Sequence, residues 1–252
     1  MAPQQIVLVT GASRGLGRSA ARHLAAAGYG VIGTYQSNAA EAEAMVAEVT
    51  GHGVPGTALQ LDVADASGFE VFADRVRTVL GDAGAEHLRA VVHFAGYGVH
   101  APYVETTAAQ LAEMLRVHVT APFLLTQLLL PLLADGSRVL NVSSGLTRFT
   151  GPGYGAYAAA KGAVEVLTRY QAAELGDRGI RVNTLAPGAI ATDFGGGVVR
   201  DVAAVNEALA SATALGRVGL PDDIGAALPA LVGDGMAWAS GTRIELSGGQ
   251  SI

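Results

Sequence analysis

The sequence predicts a single α/β domain, residues 1–252, built on one doubly wound parallel sheet. Short β-branched apolar runs alternate with longer stretches at helical spacing along the whole chain, the pattern of parallel strands joined by helical crossovers. The first such run, Ile6–Thr10, passes directly into Gly11-Ala12-Ser13-Arg14-Gly15-Leu16-Gly17 and then into a helical stretch. Strand, glycine turn and helix in that order make an anion cradle, because glycines let the backbone approach and the helix start offers free N–H groups. A later strand ends in the small pair Ala95-Gly96, which leaves room for a flat ligand at the carboxyl edge of the sheet.

The elements follow in order. Residues 18–27 read as the first helix, closed by Gly28, and Gly30–Tyr35 as the second strand. Residues 39–49 are a helix rich in Ala and Glu. Residues 57–61 form a third strand running into Asp62-Val63, and 66–80 a helix. Residues 89–94 make the fourth strand. Residues 107–133 are a long helix, apolar on nearly every side, with Pro122 expected to kink it. Such a helix needs cover on most faces, so one face is expected on the sheet and another on a second copy of the chain. Residues 137–142 are the fifth strand, Gly155–Leu175 a helix, and 179–185 the sixth strand. Residues 193–214 open on three glycines and read as a lid. Residues 221–232 are a helix begun by Pro221, 242–246 a last strand, and Gly248-Gly249 turn the tail.

The chemistry centres on Tyr157 and Lys161. Four residues apart in a helix, they leave one face a turn apart. A free phenol ionises near pH 10, and a neighbouring ammonium favours the phenolate, so Lys161 is expected to lower the Tyr157 pKa. Of the 16 basic residues Lys161 is the only lysine. A site needing charge alone accepts arginine, whereas a compact ammonium with adaptable donors suits chemistry.

The end of the second strand, Thr34-Tyr35-Gln36-Ser37, carries no acid. A dinucleotide site selective for NAD places Asp or Glu there to hold the ribose hydroxyl. Without it a 2′-phosphate is tolerated, and Arg14 with Ser37 is placed to bind one. The expected cofactor is NADP(H) rather than NAD(H). Composition excludes other classes. Net charge is −6 with no basic block, which argues against nucleic acid. There is no cysteine, and the six histidines show no H-x-x-x-H pattern, so no metal site is expected. The N-terminus lacks the basic start and apolar core of a signal peptide, and no uninterrupted apolar run reaches membrane-spanning length. A cytoplasmic protein is expected.

Taken together, Thr10-Gly11-x-x-x-Gly15-x-Gly17, Asp62-Val63, Ala95-Gly96, Ser144 thirteen residues before Tyr157, Tyr157-x-x-x-Lys161, Pro187-Gly188 with Thr192, and Gly248-Gly249 resemble the short-chain dehydrogenase/reductase family over nearly the whole chain. The resemblance implies a seven-stranded Rossmann sheet, a nicotinamide cofactor, and a dimer or tetramer joined through the long apolar helix and the Tyr-bearing helix. It implies that Tyr157 donates a proton in carbonyl reduction, that Lys161 holds the nicotinamide ribose, and that Ser144 hydrogen-bonds the substrate oxygen, with Ser143 a structural neighbour. Gly11, Ser13, Arg14, Gly15, Leu16 and Gly17 would hold the phosphates. Asp62 and Val63 would touch the adenine, Phe94, Ala95 and Gly96 would border the cofactor, and Pro187, Gly188, Ile190 and Thr192 would lie at its nicotinamide end.

Two positions depart from the family pattern. His93-Phe94-Ala95-Gly96 stands for Asn-Asn-Ala-Gly, and His118 stands where the family has the Asn that holds a water beside the lysine. A histidine donates or accepts and titrates near neutrality, so His118 either carries the same proton path or fills the space. Tyr97, Tyr103, Phe149, Tyr154 and Phe194 fall near the expected pocket mouth and hint at an apolar or aromatic ketone. Arg148 faces either an anionic substrate or solvent. The preferred function is reversible NADP(H)-dependent carbonyl reduction. A non-catalytic NADP-binding sensor is the alternative, disfavoured by an intact Ser–Tyr–Lys set. An epimerase or dehydratase is disfavoured by the lack of a separate substrate domain.

Overall fold

The computed structural model describes residues 4–252, so the N-terminal expectation falls partly on Met1–Pro3, outside the described residues. Strands β1 (Ile6–Thr10), β2 (Gly30–Tyr35), β3 (Gly56–Gln60), β4 (Leu88–His93), β5 (Leu133–Val142), β6 (Arg181–Pro187) and β7 (Arg243–Leu246) form one sheet in the order β3-β2-β1-β4-β5-β6-β7. Every neighbouring pair is parallel. The order reverses between β1 and β4, and the carboxyl ends of those two strands open the crevice where such sheets take ligands.

The helices are α1 (Gly15–Ala26), α2 (Ala39–Thr50), α3 (Phe69–Asp82), α4 (Ala108–Leu115), α5 (Ala121–Leu129), α6 (Gly155–Leu175), α7 (Val198–Asp201), α8 (Ala203–Ser211), α9 (Pro221–Gly225) and α10 (Leu228–Val232). Successive residues of β1 point to opposite faces. Ile6 and Leu8 join Phe69, Phe72, Val76, Leu80, Leu125 and Leu129 in one core. Val7 and Val9 join Ala21, Leu24, Met45, Val49, Ile224 and Leu228 in the other. Burial on both faces explains why β1 is an unbroken apolar run.

The long helical segment differs from its expected form. Its irregularity is a π-turn at Arg116–Thr120, ahead of Pro122, where the Ala121 N–H reaches back to the Arg116 carbonyl. Pro122 has no N–H to give the His118 carbonyl and its ring crowds that group; the wider turn accommodates both. The helix ends at Leu132, and β5 starts at Leu133 rather than residue 137, since Pro131 cannot continue the ladder. By length and apolarity Ala108–Leu132 matches a membrane span, against the sequence expectation. Here Met114, Val117, Ala121, Leu125 and Leu129 are buried within the domain, at the spacing of a core helix.

The expected helix at 221–232 is two, α9 and α10, with Pro229 at the start of the second. Gly225 brings α9 close to α1: a Cβ there would lie 2.2 Å from Ser19 Oγ. Strand β6 begins two residues late because Gly179, at φ +64°, makes a left-handed turn.

Candidate active site

The phosphate cradle is built from tight packing. A Cβ on Gly11 would sit 2.8 Å from Ala95 Cα, and one on Gly17 would sit 2.2 Å from the Gly11 carbonyl, so both must be glycine. Gly11 N–H donates to Thr34 Oγ1 at 3.0 Å, and Ala95 N–H to Thr10 Oγ1 at 3.1 Å. The β1, β2 and β4 ends are thereby locked together. The α1 N-terminus carries no side-chain cap and no acid in its first turn, leaving its N–H groups to an anion. Gly15 faces Thr192 across the gap, a Cβ there being 3.8 Å from the Thr192 methyl, so the glycine turn and the segment after Pro187-Gly188 border one cleft. Leu16 and Ile190 pack on the core beneath it. Ser37 and Asp62 are exposed, and Ser13, Val63 and Phe94 are half-buried. Asp62 accepts from Ala64 N–H at 2.8 Å and from Gln36 Nε2 at 3.2 Å. These features fit a dinucleotide.

Helix α6 buries Tyr157, Ala160, Lys161, Val164 and Thr168 along one stripe, placing Tyr157 (7 % exposed) and Lys161 (6 %) on the same face. Lys161 Nζ donates to the Val142 carbonyl at 2.7 Å and lies 5.6 Å from the Tyr157 ring centroid. Ser144, just past β5, accepts the Leu146 N–H at 3.2 Å. That bond occupies an oxygen lone pair and leaves the hydroxyl proton for the Tyr157 side, where hydrogen bonding from Ser144 favours the phenolate.

The charge states differ from expectation. Burial pushes the Tyr157 pKa above its ordinary value, the Ser144 bond opposes this, and Tyr154 adds to the rise. Lys161 does not lower it, because burial acts on the lysine as well and brings the Lys161 pKa down to about 7.

His118 sits in the π-turn, with its ring edge-on to Tyr157 at 5.2 Å and 86°. Nε2–H donates to the Tyr97 carbonyl at 2.7 Å, which leaves Nδ1 as a buried acceptor without a protein partner. Burial foremost, then the Lys161 charge, hold its pKa at about 2. Burial thus disfavours the charged imidazole, and the proton on Nε2 leaves Nδ1 as the acceptor, an arrangement open to both sequence readings of His118. Gly96 is required beneath it: a Cβ would lie 2.4 Å from His118 Cε1. His93, the other departure, hydrogen-bonds Thr126 Oγ1 through Nε2 at 3.0 Å and is held near 4 by burial, with the Lys161 charge adding.

Of the five aromatic residues expected at the pocket mouth, two meet Tyr157. Tyr154 lies 6.4 Å and Phe194 5.4 Å from it, and those two rings stack at 22°. Tyr97 instead donates to Glu113 at 2.7 Å, Tyr103 is exposed, and Phe149 packs against Gly145. Arg148 meets neither substrate space nor solvent alone, since it pairs with Glu245 at 2.7 Å. Arg14 is 70 % exposed and 3.7 Å from Asp193 of the lid segment. Sequence reasoning missed His100, which packs edge-on to Tyr154 at 5.0 Å. A lone histidine in a loop gives no periodic signal.

A family model described as enoyl-(acyl carrier protein) reductase matches residues 11–251. Versicolorin reductase 1 of Dothistroma septosporum is 31 % identical over 258 residues, covering 97 % of this chain and 95 % of the relative. The chain belongs to the short-chain dehydrogenase/reductase family.

Among solved structures of the short-chain dehydrogenase/reductase fold, the promiscuous reductase LugOII superposes with a TM-score of 0.92 at 34 % identity, covering 98 % of this chain and 97 % of that one. The angucycline C-6 ketoreductase LanV, solved with bound NADP, gives 0.92 at 31 % identity, with 98 % and 95 % covered. As a member of this family the protein is an NAD(P)-dependent oxidoreductase, and Ser144, Tyr157 and Lys161 are the three groups that its fold brings together at the cleft.

Proposed function

We propose that this protein is an NADPH-dependent ketoreductase acting on a planar aromatic or polycyclic ketone. The observation that carries the reading is the half-buried Ser144 within hydrogen-bonding reach of the buried Tyr157, with Lys161 beside the phenol ring and the Tyr154 and Phe194 rings against it. The relatives point the same way. LanV is named as an angucycline C-6 ketoreductase and holds NADP, LugOII is named for keto-reduction at C1 during lugdunomycin biosynthesis, and a relative from Metarhizium brunneum is named as hydroxynaphthalene reductase-like.

Ser144 donates a hydrogen bond to the carbonyl oxygen and holds it beside Tyr157. Tyr157 keeps its proton at neutral pH because burial disfavours the phenolate; it is an acid ready to give that proton to an alkoxide, a stronger base than itself. Lys161, anchored on Val142, restores the proton balance of the buried phenol, and a pKa near 7 lets it exchange protons at working pH. Bound nicotinamide supplies the hydride. The turn from Gly11 to Gly17 and the α1 N-terminus hold the phosphates, and Arg14 selects the 2′-phosphate where β2 ends without an acid.

Residues 193–214, with left-handed Gly195, Gly196 and Gly197 after Phe194, act as the substrate lid. Leu111, Leu115 and Phe123 on α4 and α5 and Val166 and Tyr170 on α6 are exposed apolar side chains; α4 contacts α6, and the π-turn at Arg116–Thr120 contacts all three helices. They form the surface through which a cytoplasmic homo-oligomer assembles. The function is tested by following NADPH and NADH oxidation with a panel of aromatic and aliphatic ketones. Tight NADPH binding with no turnover on any of them would favour the sensor reading.

A further inference from the structure

We propose that Glu165 is a positioning residue for Ser144; this rests on the ketoreductase reading above. Glu165 lies on α6 one turn beyond Lys161 and two beyond Tyr157, with its side chain 19 % exposed. Its Oε1 accepts from Ser143 Oγ at 2.7 Å, from Thr147 Oγ1 at 2.6 Å and from Arg243 Nε at 2.9 Å. Ser143 and Thr147 flank Ser144 in the chain. One carboxylate oxygen therefore grips both ends of the segment that presents the substrate-binding hydroxyl.

Arg243 closes the clamp. From β7 it pairs with Glu165 and with Glu245 at 2.5 Å, and its Nη2 reaches the Ser144 carbonyl at 3.3 Å. Inside the clamp the Leu146 N–H fixes Ser144 Oγ, so the hydroxyl proton has one productive direction. Tyr157 and Lys161 stand on the same helix as Glu165. The helix that carries the acid thus also sets where the substrate oxygen is held, and the three groups keep their mutual geometry as one rigid unit. An error of about 1 Å in such a constellation is enough to cost on the order of a hundredfold in rate.

A carboxylate with three donors on one oxygen is not easily replaced. Alanine at this position leaves Ser143 Oγ only the Lys161 carbonyl at 3.3 Å and Thr147 Oγ1 only the Ser144 carbonyl at 2.9 Å, and lets Arg243 turn to Glu245. The segment from Ser144 to Thr147 is then held by its own turn and by the longer 3.3 Å contact from Arg243 to the Ser144 carbonyl.

The test is a double-mutant cycle on the full-length protein, with NADPH and the ketone probes phenanthrenequinone and tetralone. Because Glu165 acts through Ser144, Glu165→Ala lowers kcat about tenfold or more with Ser144 present, but less than about twofold in the Ser144→Ala background, read by single turnover. The Kd for NADPH stays within about twofold throughout. Glu165→Gln, which keeps one acceptor oxygen, recovers part of the loss. A crystal structure of Glu165→Ala alone shows Ser144 Oγ off the Leu146 N–H. Equal loss of kcat in both backgrounds, or an unmoved Ser144 in the crystal, overturns the proposal. Should Glu165→Ala fail to fold, Thr147→Val carries the same cycle: loss confined to the Ser144 background supports the proposal, and equal loss in both overturns it. If wild type reduces neither probe, or Ser144→Ala slows neither, the ketoreductase reading fails, and the crystal structure still decides whether Glu165 places Ser144.

Discussion

Lys161 and Val142 are joined by a 2.7 Å hydrogen bond from the ammonium to the last carbonyl of β5. This bond pins the helix of Tyr157 to the strand that delivers Ser144, and it does so with a buried cation. The cost shows in the lysine pKa, drawn from 10.5 to about 7 by burial. Between those values the unfolded chain holds a proton that the folded one has released, so stability rises with pH across that window; below about 7 the full burial cost is present. Lys161→Met removes the titration. The Tm of the variant minus that of wild type is expected to be most positive near pH 7 and to fall as pH rises toward 10. Calorimetry of the ligand-free protein checks this, and a pH-independent difference would count against a desolvated Lys161.

His118 is expected to remain neutral, with its proton on Nε2, down to at least about pH 5, since burial holds its pKa at about 2. Imidazole nitrogen shifts in an NMR titration report this directly. His118→Ala frees the Tyr157 ring edge and lowers kcat by roughly tenfold while NADPH affinity changes less. An imidazole that titrates near pH 6 would refute the fixed tautomer.

Arg14 is mostly exposed and its Asp193 contact is long, at 3.7 Å, so the side chain is available to a 2′-phosphate at small cost. Arg14→Ala is expected to raise the Kd of NADPH about tenfold or more and to leave that of NADH nearly unchanged. Isothermal titration with both cofactors measures the difference, and equal losses for the two would remove Arg14 from selectivity.

Phe123 on α5 and Tyr170 on α6 are 49 % and 65 % exposed, and both helices contact the π-turn at Arg116–Thr120. Charges there cannot be buried unpaired, so Phe123→Glu with Tyr170→Glu is expected to shift the protein to monomer in sedimentation velocity with its circular dichroism retained. An unchanged sedimentation coefficient would place the assembly surface elsewhere.

Much of this architecture is legible in the residues. The alternation of runs places all seven strands, and the four-residue spacing of Tyr157 and Lys161 fixes their common face through helix geometry alone. What is not legible depends on burial or on distant partners. The pKa values of Tyr157 and Lys161 move opposite to the local charge argument because both groups are desolvated together. Arg148 meets Glu245 across 97 residues of chain, and Tyr97 turns to Glu113 on α4. Neither pairing follows from spacing. Pro122 signals an irregular helix, but its spacing does not distinguish a kink from the π-turn found at Arg116–Thr120.

We propose that the Tyr157 hydroxyl gives the proton that completes carbonyl reduction. The most direct measurement is NADPH oxidation by wild type and Tyr157→Phe against the same aromatic ketones, with NADPH affinity determined for each. The variant is expected to bind NADPH much as wild type does, and its kcat to fall by about a hundredfold to ten-thousandfold. A variant that turns over at the wild-type rate would contradict it.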